Sequence, residues 1–424
     1  MLQSSLEGGS MTEQPSAPDE SGTDTSGVLR DDFGSSAFAA PEGAAEDESG
    51  DAADGGQLLP LPPDPALEPR PPSGVGLCLS GGGYRAMLFH LGSLLRLNEA
   101  GWLPKLTHVA SVSGGSITAG VLGQRWNDLD FVGGVATNLR DVVIDPILEF
   151  AGRTVDVPAV LLGVWTGNVA GRVAGAYDRH LFGGATLQDL PSDGPRFTIL
   201  ATDLSNGVST QFSRASISNY KSTDAYKGYT VKKPTTRLAD AVAASSAFPP
   251  FFTPFKLDLP SGRRVLLTDG GVYDNLGLEP VLKNVGTIFV SDGGGPFGIT
   301  AKPPTDWLFG TVRVLLTIQS KVGDLRRLQV VKALVKKQRA GSFWAVDTDP
   351  AGLTRLASTL PVSRADATAL ALSPTRLAHF APELRHRLAN WGYAVADACL
   401  RAYVDPNLPE PAGFPLPDGV GDVR

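Results

Sequence analysis

Two glycine turns hold the residue types from which acyl-transfer chemistry is assembled. Ser113 lies in Ser111-Val112-Ser113-Gly114-Gly115, among small neighbours. A nucleophile elbow needs such a sharp strand-to-helix turn, so that the serine side chain stands clear at the top of a sheet. Ser111 occupies the first position, where the pattern asks for glycine, and is still small. The helix that starts after Ser113 directs its positive end at any developing oxyanion. The other turn, Gly81-Gly82-Gly83, can adopt positive φ and aim several N–H groups at a common point. One such donor aimed at an oxyanion is typically worth roughly 3 kcal/mol of barrier. Arg85 follows, where its charge would support the loop or meet a phosphate.

A serine nucleophile needs a base. A Ser-Asp-His arrangement would draw on His379 or His386, but both fall in Thr375–Leu400, which reads as one long charged surface helix. His90 lies within the first helix and His108 precedes the buried part of its strand. Asp269 is placed better: it follows an apolar strand directly, which puts it at the sheet edge shared with Ser113, and Gly270-Gly271 come after it. A carboxylate in hydrogen-bond reach of a serine can act as general base without an imidazole between them. Asp292, in Asp292-Gly293-Gly294-Gly295, has the same local shape and competes for the role. A dinucleotide fingerprint is the rival reading of Gly81-x-Gly83-x-x-Ala86. The acidic residue it requires about 20 positions on is missing, since the next strand ends in Ser113.

These turns must be held by strands and helices. Val75–Leu79 is an unbroken apolar run, as in a strand buried on both faces, and Met87, Leu91, Leu94 and Leu95 then recur at helical spacing as far as Gly101. Val109–Val112, Phe197–Ala201, Arg264–Thr268 and Thr287–Val290 read as further strands, with Val312–Leu316 as one more. Ile117–Trp126 and Arg237–Ala247 read as helices. Strands alternating with helices predict a three-layer α/β/α fold with a mostly parallel central sheet. Lys321–Arg339 is a basic amphipathic helix with Leu325, Leu328, Val331 and Val335 as its core-facing stripe; docking on anionic lipid headgroups is its second reading.

Charge divides the chain. It has 37 basic and 44 acidic residues, of which residues 1–70 hold 2 and 15; the remaining 35 and 29 leave that part at +6. Residues 1–72 read as a disordered acidic tail with a Pro-rich linker, 73–404 as the catalytic domain (core motifs 75–295, C-terminal helical part 320–404), and 405–424 as a Pro/Gly-rich tail. No secretory signal or membrane span is evident. Cys78 and Cys399 are too few for a disulfide frame and suit buried thiols in a cytoplasmic protein, peripheral at most to the membrane. No Cys/His spacing suggests a metal, and no cofactor or nucleic-acid motif appears.

In order and spacing, Gly81-Gly82-Gly83-Tyr84-Arg85, the Ser113 elbow, Ala244-Ser245-Ser246-Ala247-Phe248-Pro249 and Asp269-Gly270-Gly271 resemble the patatin-like phospholipases, across roughly residues 75–295. The resemblance implies a lipid acyl hydrolase working through a Ser113–Asp269 dyad without histidine or cofactor. It implies an oxyanion hole from Gly81, Gly82, Gly83 and the Gly114 amide, and matches Arg85 to the basic residue of the family's glycine loop. It prefers Asp269 to Asp292 by distance from the Ala-Ser segment. The implied partners are a phospholipid or other acyl-ester lipid and the surface of a membrane. The alternative is a catalytically silent, membrane-associated scaffold that kept the fold.

Overall fold

A computed structural model describes residues 73–155, 168–221, 226–353 and 355–421; the acidic tail assigned to residues 1–72 lies outside them. The chain runs through β1 (Val75–Leu79), α1 (Gly83–Glu99), β2 (Leu106–Val112), α2 (Gly114–Gln124), β3 (Arg196–Asp203), β4 (Ser209–Phe212), β5 (Ser216–Asn219) and β6 (Tyr229–Lys232). It continues through α3 (Leu238–Ser245), β7 (Phe255–Asp258), β8 (Arg264–Asp269), β9 (Thr287–Asp292), α4 (Trp307–Val335), β10 (Ala340–Ala345) and α5 (Pro382–Tyr403).

One sheet of mixed direction organises these elements. Five parallel strands form its centre, in the order β10-β9-β1-β2-β3. A meander of β4, β5 and β6 extends it antiparallel from β3. Side chains alternate across each central strand and so build two cores. Leu77, Leu79, Val109, Phe289 and Trp344 join the larger core, with α1, α2 and α5. Cys78, Ala110, Ile288, Val290, Phe343 and Ala345 pack on the other face, against Val281, Leu282, Val330 and Val331. The expected α/β/α layering is thus the fold. Among the described residues, no helix is long and apolar enough to cross a membrane.

Several expectations need correction. Val312–Leu316 is not a strand but part of α4, a continuous helix of 29 residues. The stripe expected on that helix is rotated: Val330, Val331 and Ala333 are buried, while Leu325 and Val335 are exposed. Arg327 is drawn inward by Asp292 and Asp347, and Arg339 donates to the Leu282 carbonyl, so the basic residues are not all on the wet side. The late helix α5 is no charged surface helix either; Leu388 through Ala402 are buried throughout. The Pro/Gly-rich segment at 405–421 is anchored at two points: Leu416 and Val420 are buried, and Asn390 donates to the carbonyls of Leu416 and Gly419.

Helix α5 supports α1, which carries the first glycine turn at its start. The two helices cross at paired glycines, where a β-carbon on Gly92 would lie 1.7 Å from the Ala389 carbonyl oxygen and one on Gly392 1.9 Å from that of Phe89. Backbone meets backbone there, so neither helix can accept a methyl group without separating. Gly392→Ala is therefore expected to cost about 1–3 kcal/mol of stability, the range for overpacking, with a lower thermal unfolding midpoint as the readout. An unchanged midpoint would contradict this close crossing.

Candidate active site

The site lies where two strands meet end to end. Strand β3 runs parallel to β2 as far as the Val112–Leu200 pair. Its last three residues pair instead with β8, Ala201 with Asp269, Thr202 with Thr268 and Asp203 with Leu267. Strand β4 occupies the other side of β3 at Ala201 and Thr202, so β8 takes the slot that β2 has just vacated. The two strands point at one another, with Ser113 at the end of one and Asp269 at the end of the other. Asp269 thus reaches Ser113 as expected but from the opposite direction, because β8 is antiparallel to β3.

Ser113 has φ 51° and ψ −120°, a left-handed backbone conformation that a side-chain-bearing residue adopts only when its surroundings enforce it. Tight glycine packing does so. A β-carbon on Gly114 would fall 2.1 Å from the Gly83 carbonyl oxygen, and one on Gly115 would fall 2.4 Å from that of Leu79. Hydroxyls brace the turn from below: the Ser113 N–H donates to Ser245 Oγ at 2.9 Å, Ser245 and Ser116 share a bond of 2.9 Å, and Ser116 donates to Ser111 at 3.0 Å. Ser111, the departure from the glycine pattern, thus ends a buried chain of hydroxyls beneath the elbow.

The Ser113 hydroxyl lies close enough to the Asp269 carboxyl to pull its pKa down. Asp269 is buried, and burial raises its pKa from the ordinary 3.8 to about 7, against the opposing pull of the Gly271 N–H (2.7 Å) and the Ser113 hydroxyl. Its backbone is held by Ala247, which accepts its N–H at 3.1 Å, and by Thr202, whose hydroxyl donates to its carbonyl at 2.9 Å. The segment Ser245–Ala247 therefore braces both partners, giving a physical reason for the Ala-Ser motif.

The glycine turns touch each other and divide their donors. Gly81 is buried and its N–H donates to the Asn275 carbonyl at 3.0 Å, so it is not available to an oxyanion, contrary to expectation. Gly82 caps α1, while Gly83 and Gly114 begin α1 and α2. N–H groups in the first turn of a helix have no intrahelical acceptor. Gly82 and Gly83 have φ of 145° and 59° and are partly exposed, next to a half-buried Ser113. Those three amides are the donors left beside the serine.

Arg85 does not face the site. It is buried, donating to the carbonyls of Gly293 (3.1 Å), Ala371 (2.9 Å) and Ser373 (2.8 Å). Burial, opposed by Asp292 and Asp347, lowers its pKa to about 10, which leaves it cationic at neutral pH. Its charge supports the loop, and the phosphate alternative has no geometric basis. Asp292 accepts from Arg327 at 2.7 Å and from the Gly294 N–H at 2.8 Å, so its carboxylate is tied into an ion pair. His379 bonds the Gly152 carbonyl and His386 bonds Asp418.

Two contributors escaped the sequence reading. His90 is fully buried and, with its pKa lowered to about 4 by burial, neutral. Its Nε2 lies 2.9 Å from the Ser80 carbonyl, which also accepts the Gly115 N–H at 3.1 Å, so one oxygen links both glycine turns. Its Nδ1 meets Ser291 Oγ at 2.8 Å. The signal was its position on the apolar face of α1 with Met87 and Leu94. Asn275 is the other: besides accepting from Gly81, its side chain lies where a β-carbon on Gly81 or Gly271 would collide, at 2.3 and 2.5 Å.

The two aspartates should respond oppositely to neutralisation. Asp292→Asn removes the closer of the two carboxylates paired with the part-buried Arg327, leaving Asp347 at 3.3 Å, and is expected to cost about 1–3 kcal/mol. For Asp269 the folded pKa lies above the unfolded value, so native stability falls as pH rises from about 4 to about 7. Asp269→Asn should therefore melt above the wild type at about pH 8, with the advantage gone near pH 4. Equal melting of Asp269→Asn and wild type at both pH values would contradict the buried, proton-holding carboxyl.

Residues 77–282 match the family model for patatin-like phospholipase. Similar solved structures include human GIVD cytosolic phospholipase A2, at 14% identity and TM-score 0.44 over 77% of this chain and 58% of that one. VipD from Legionella pneumophila matches at 17% identity and TM-score 0.33, over 78% and 67%. The human enzyme in complex with methyl gamma-linolenyl fluorophosphonate matches at 16% and 0.42, over 77% and 57%. The matched region is thus less than two thirds of the human chain. No curated protein sequence matches. On the family match, residues 77–282 are a patatin-like phospholipase domain.

Proposed function

We propose that the protein is a lipid acyl hydrolase that cleaves fatty-acyl esters, of phospholipids or related lipids, through Ser113 and Asp269. The observation that carries this reading is the placement, at two facing strand ends, of a serine held at positive φ beside a buried carboxyl whose pKa is about 7. A base with a pKa near the working pH is ionised in a large fraction of molecules and still takes a proton readily.

Ser113 Oγ attacks the ester carbonyl carbon while its proton passes to Asp269. The carbonyl electrons move onto oxygen, and the amides of Gly82, Gly83 and Gly114 stabilise that oxyanion. Collapse breaks the carbon–oxygen bond to the alcohol, which takes the proton from Asp269. Water then attacks the acyl-serine, gives its proton to Asp269, and the fatty acid leaves as Ser113 is protonated again. Arg85 and His90 act on this sequence only by holding the glycine turns. The substrate resides in a bilayer, so the protein works at a membrane surface.

Ser113→Ala and Asp269→Asn should each reduce release of fatty acid from phospholipid vesicles, or of nitrophenol from a p-nitrophenyl ester, by about a thousandfold or more. The wild-type kcat/KM should fall as pH drops through about 7, as Asp269 gains its proton. Undiminished turnover in either variant would rule out the dyad.

A further inference from the structure

We infer that the outer face of α4 seats this protein on an anionic phospholipid bilayer, beside the Ser113–Asp269 site. The inference rests on the lipid-hydrolase reading and names the surface that reading leaves open. It also extends the docking element beyond the basic half of the helix, 321–339, part of which is packed into the fold, to the apolar residues that precede it.

Between Trp307 and Gln329, α4 has no buried residue among those whose side chains are described, although its first twelve residues are mostly apolar. Trp307, Val314, Ile318 and Leu325 are 82%, 58%, 57% and 66% exposed. Their spacings of seven, four and seven place them on one helix face. The stripe spans eighteen residue steps, about 27 Å at 1.5 Å each. Phe309 and Ile299 add exposed apolar surface at the same end, at 63% and 97%. A contiguous exposed apolar face of this extent marks an interaction surface.

Charge selects the occupant. The face continues through Lys321, Lys332 and Lys336, and the helical period brings no carboxylate into it, though Asp324 lies at its flank and pairs with Lys321 at 2.9 Å. Residues 293–323 hold Lys302, Arg313 and Lys321 against the single acid Asp306. Apolar residues interleaved with lysines, opened by a tryptophan, suit the boundary between acyl chains and anionic headgroups. A second copy of the chain would set lysines against lysines. The helix is long enough to cross a membrane but not apolar enough, so it lies on the bilayer.

Position links this face to the chemistry. The inner side of α4 passes the helix Gly271–Asp274 that follows Asp269: a β-carbon on Gly271 would lie 3.1 Å from Gln319 Nε2, and the Arg326 guanidinium sits 5.8 Å from the Tyr273 ring centre. Seating the outer face would therefore bring the lipid surface to the flank of the serine.

The test uses the full chain and vesicles of phosphatidylcholine with and without phosphatidylserine. Wild type should co-sediment with the anionic vesicles at low salt and less with the neutral ones. The triple variant Trp307→Ser, Ile318→Ser, Leu325→Ser should lose anionic-vesicle binding by about tenfold or more, while keeping wild-type turnover of a soluble p-nitrophenyl butyrate. Replacing Lys321, Lys332 and Lys336 by Glu should abolish the preference for anionic vesicles. Equal vesicle binding by the triple variant overturns the inference. So does light scattering that shows a wild-type dimer converted to monomer by the triple variant, because the face then belongs to a second copy. Failure of the wild type to cleave the soluble ester would instead fall on the hydrolase reading, with vesicle binding still measured on its own.

Discussion

Strand β3 outlasts its neighbour, and the site depends on that difference in length. Its eight residues outrun the pairing with β2, which stops at Leu200, and leave hydrogen-bonding groups at Ala201–Asp203 for β8 to satisfy. Buried backbone groups must find partners, so β8 enters from the far side and ends against the end of β2. The meeting of two strand ends explains why Ser113 and Asp269, 156 residues apart, come together. It also explains why Ala247 and Ser245 matter, since they hold the two ends from below.

The rest of the local structure keeps that junction rigid and its charges separate. His90 is neutral and joins both glycine turns through one carbonyl oxygen, that of Ser80. Arg85 fixes the first turn by binding three carbonyls, with its charge turned away from the serine. Asp292 and Asp269 both end buried strands and both accept a nearby glycine N–H, yet only Asp292 has a cationic partner. Asp292 is tied into an ion pair, whereas Asp269, buried beside a neutral hydroxyl, exchanges its proton near neutrality.

Much of this was legible in the sequence because it depended on local rules. Apolar runs ending in glycine marked the central strands, and the elbow and the glycine turn announced themselves by composition. The long-range parts did not. The antiparallel approach of β8 is set by the vacancy beside β3 and leaves no mark on the local pattern of Arg264–Asp269. The loss of Gly81 as a donor requires knowing where the Asn275 carbonyl lies. Which of its two readings Arg85 takes, and that Arg327 turns inward, depend on backbone carbonyls and distant carboxylates that have no fixed spacing from either arginine. Helix α4 misled for a related reason: its amphipathic pattern is real, but the packed stripe is rotated from the one that apolar content alone suggested, and an apolar face is left to solvent.

The central claim is that Ser113 is a nucleophile activated by Asp269, and labelling with a serine-directed fluorophosphonate tests it most directly. The full-length protein should take up one phosphonyl group, located on Ser113 by peptide mass spectrometry, with a rate that rises through about pH 7 and collapses in Asp269→Asn. A protein that stays unlabelled, or that labels at another residue, or an Asp269→Asn variant that labels as fast as the wild type, would contradict the account.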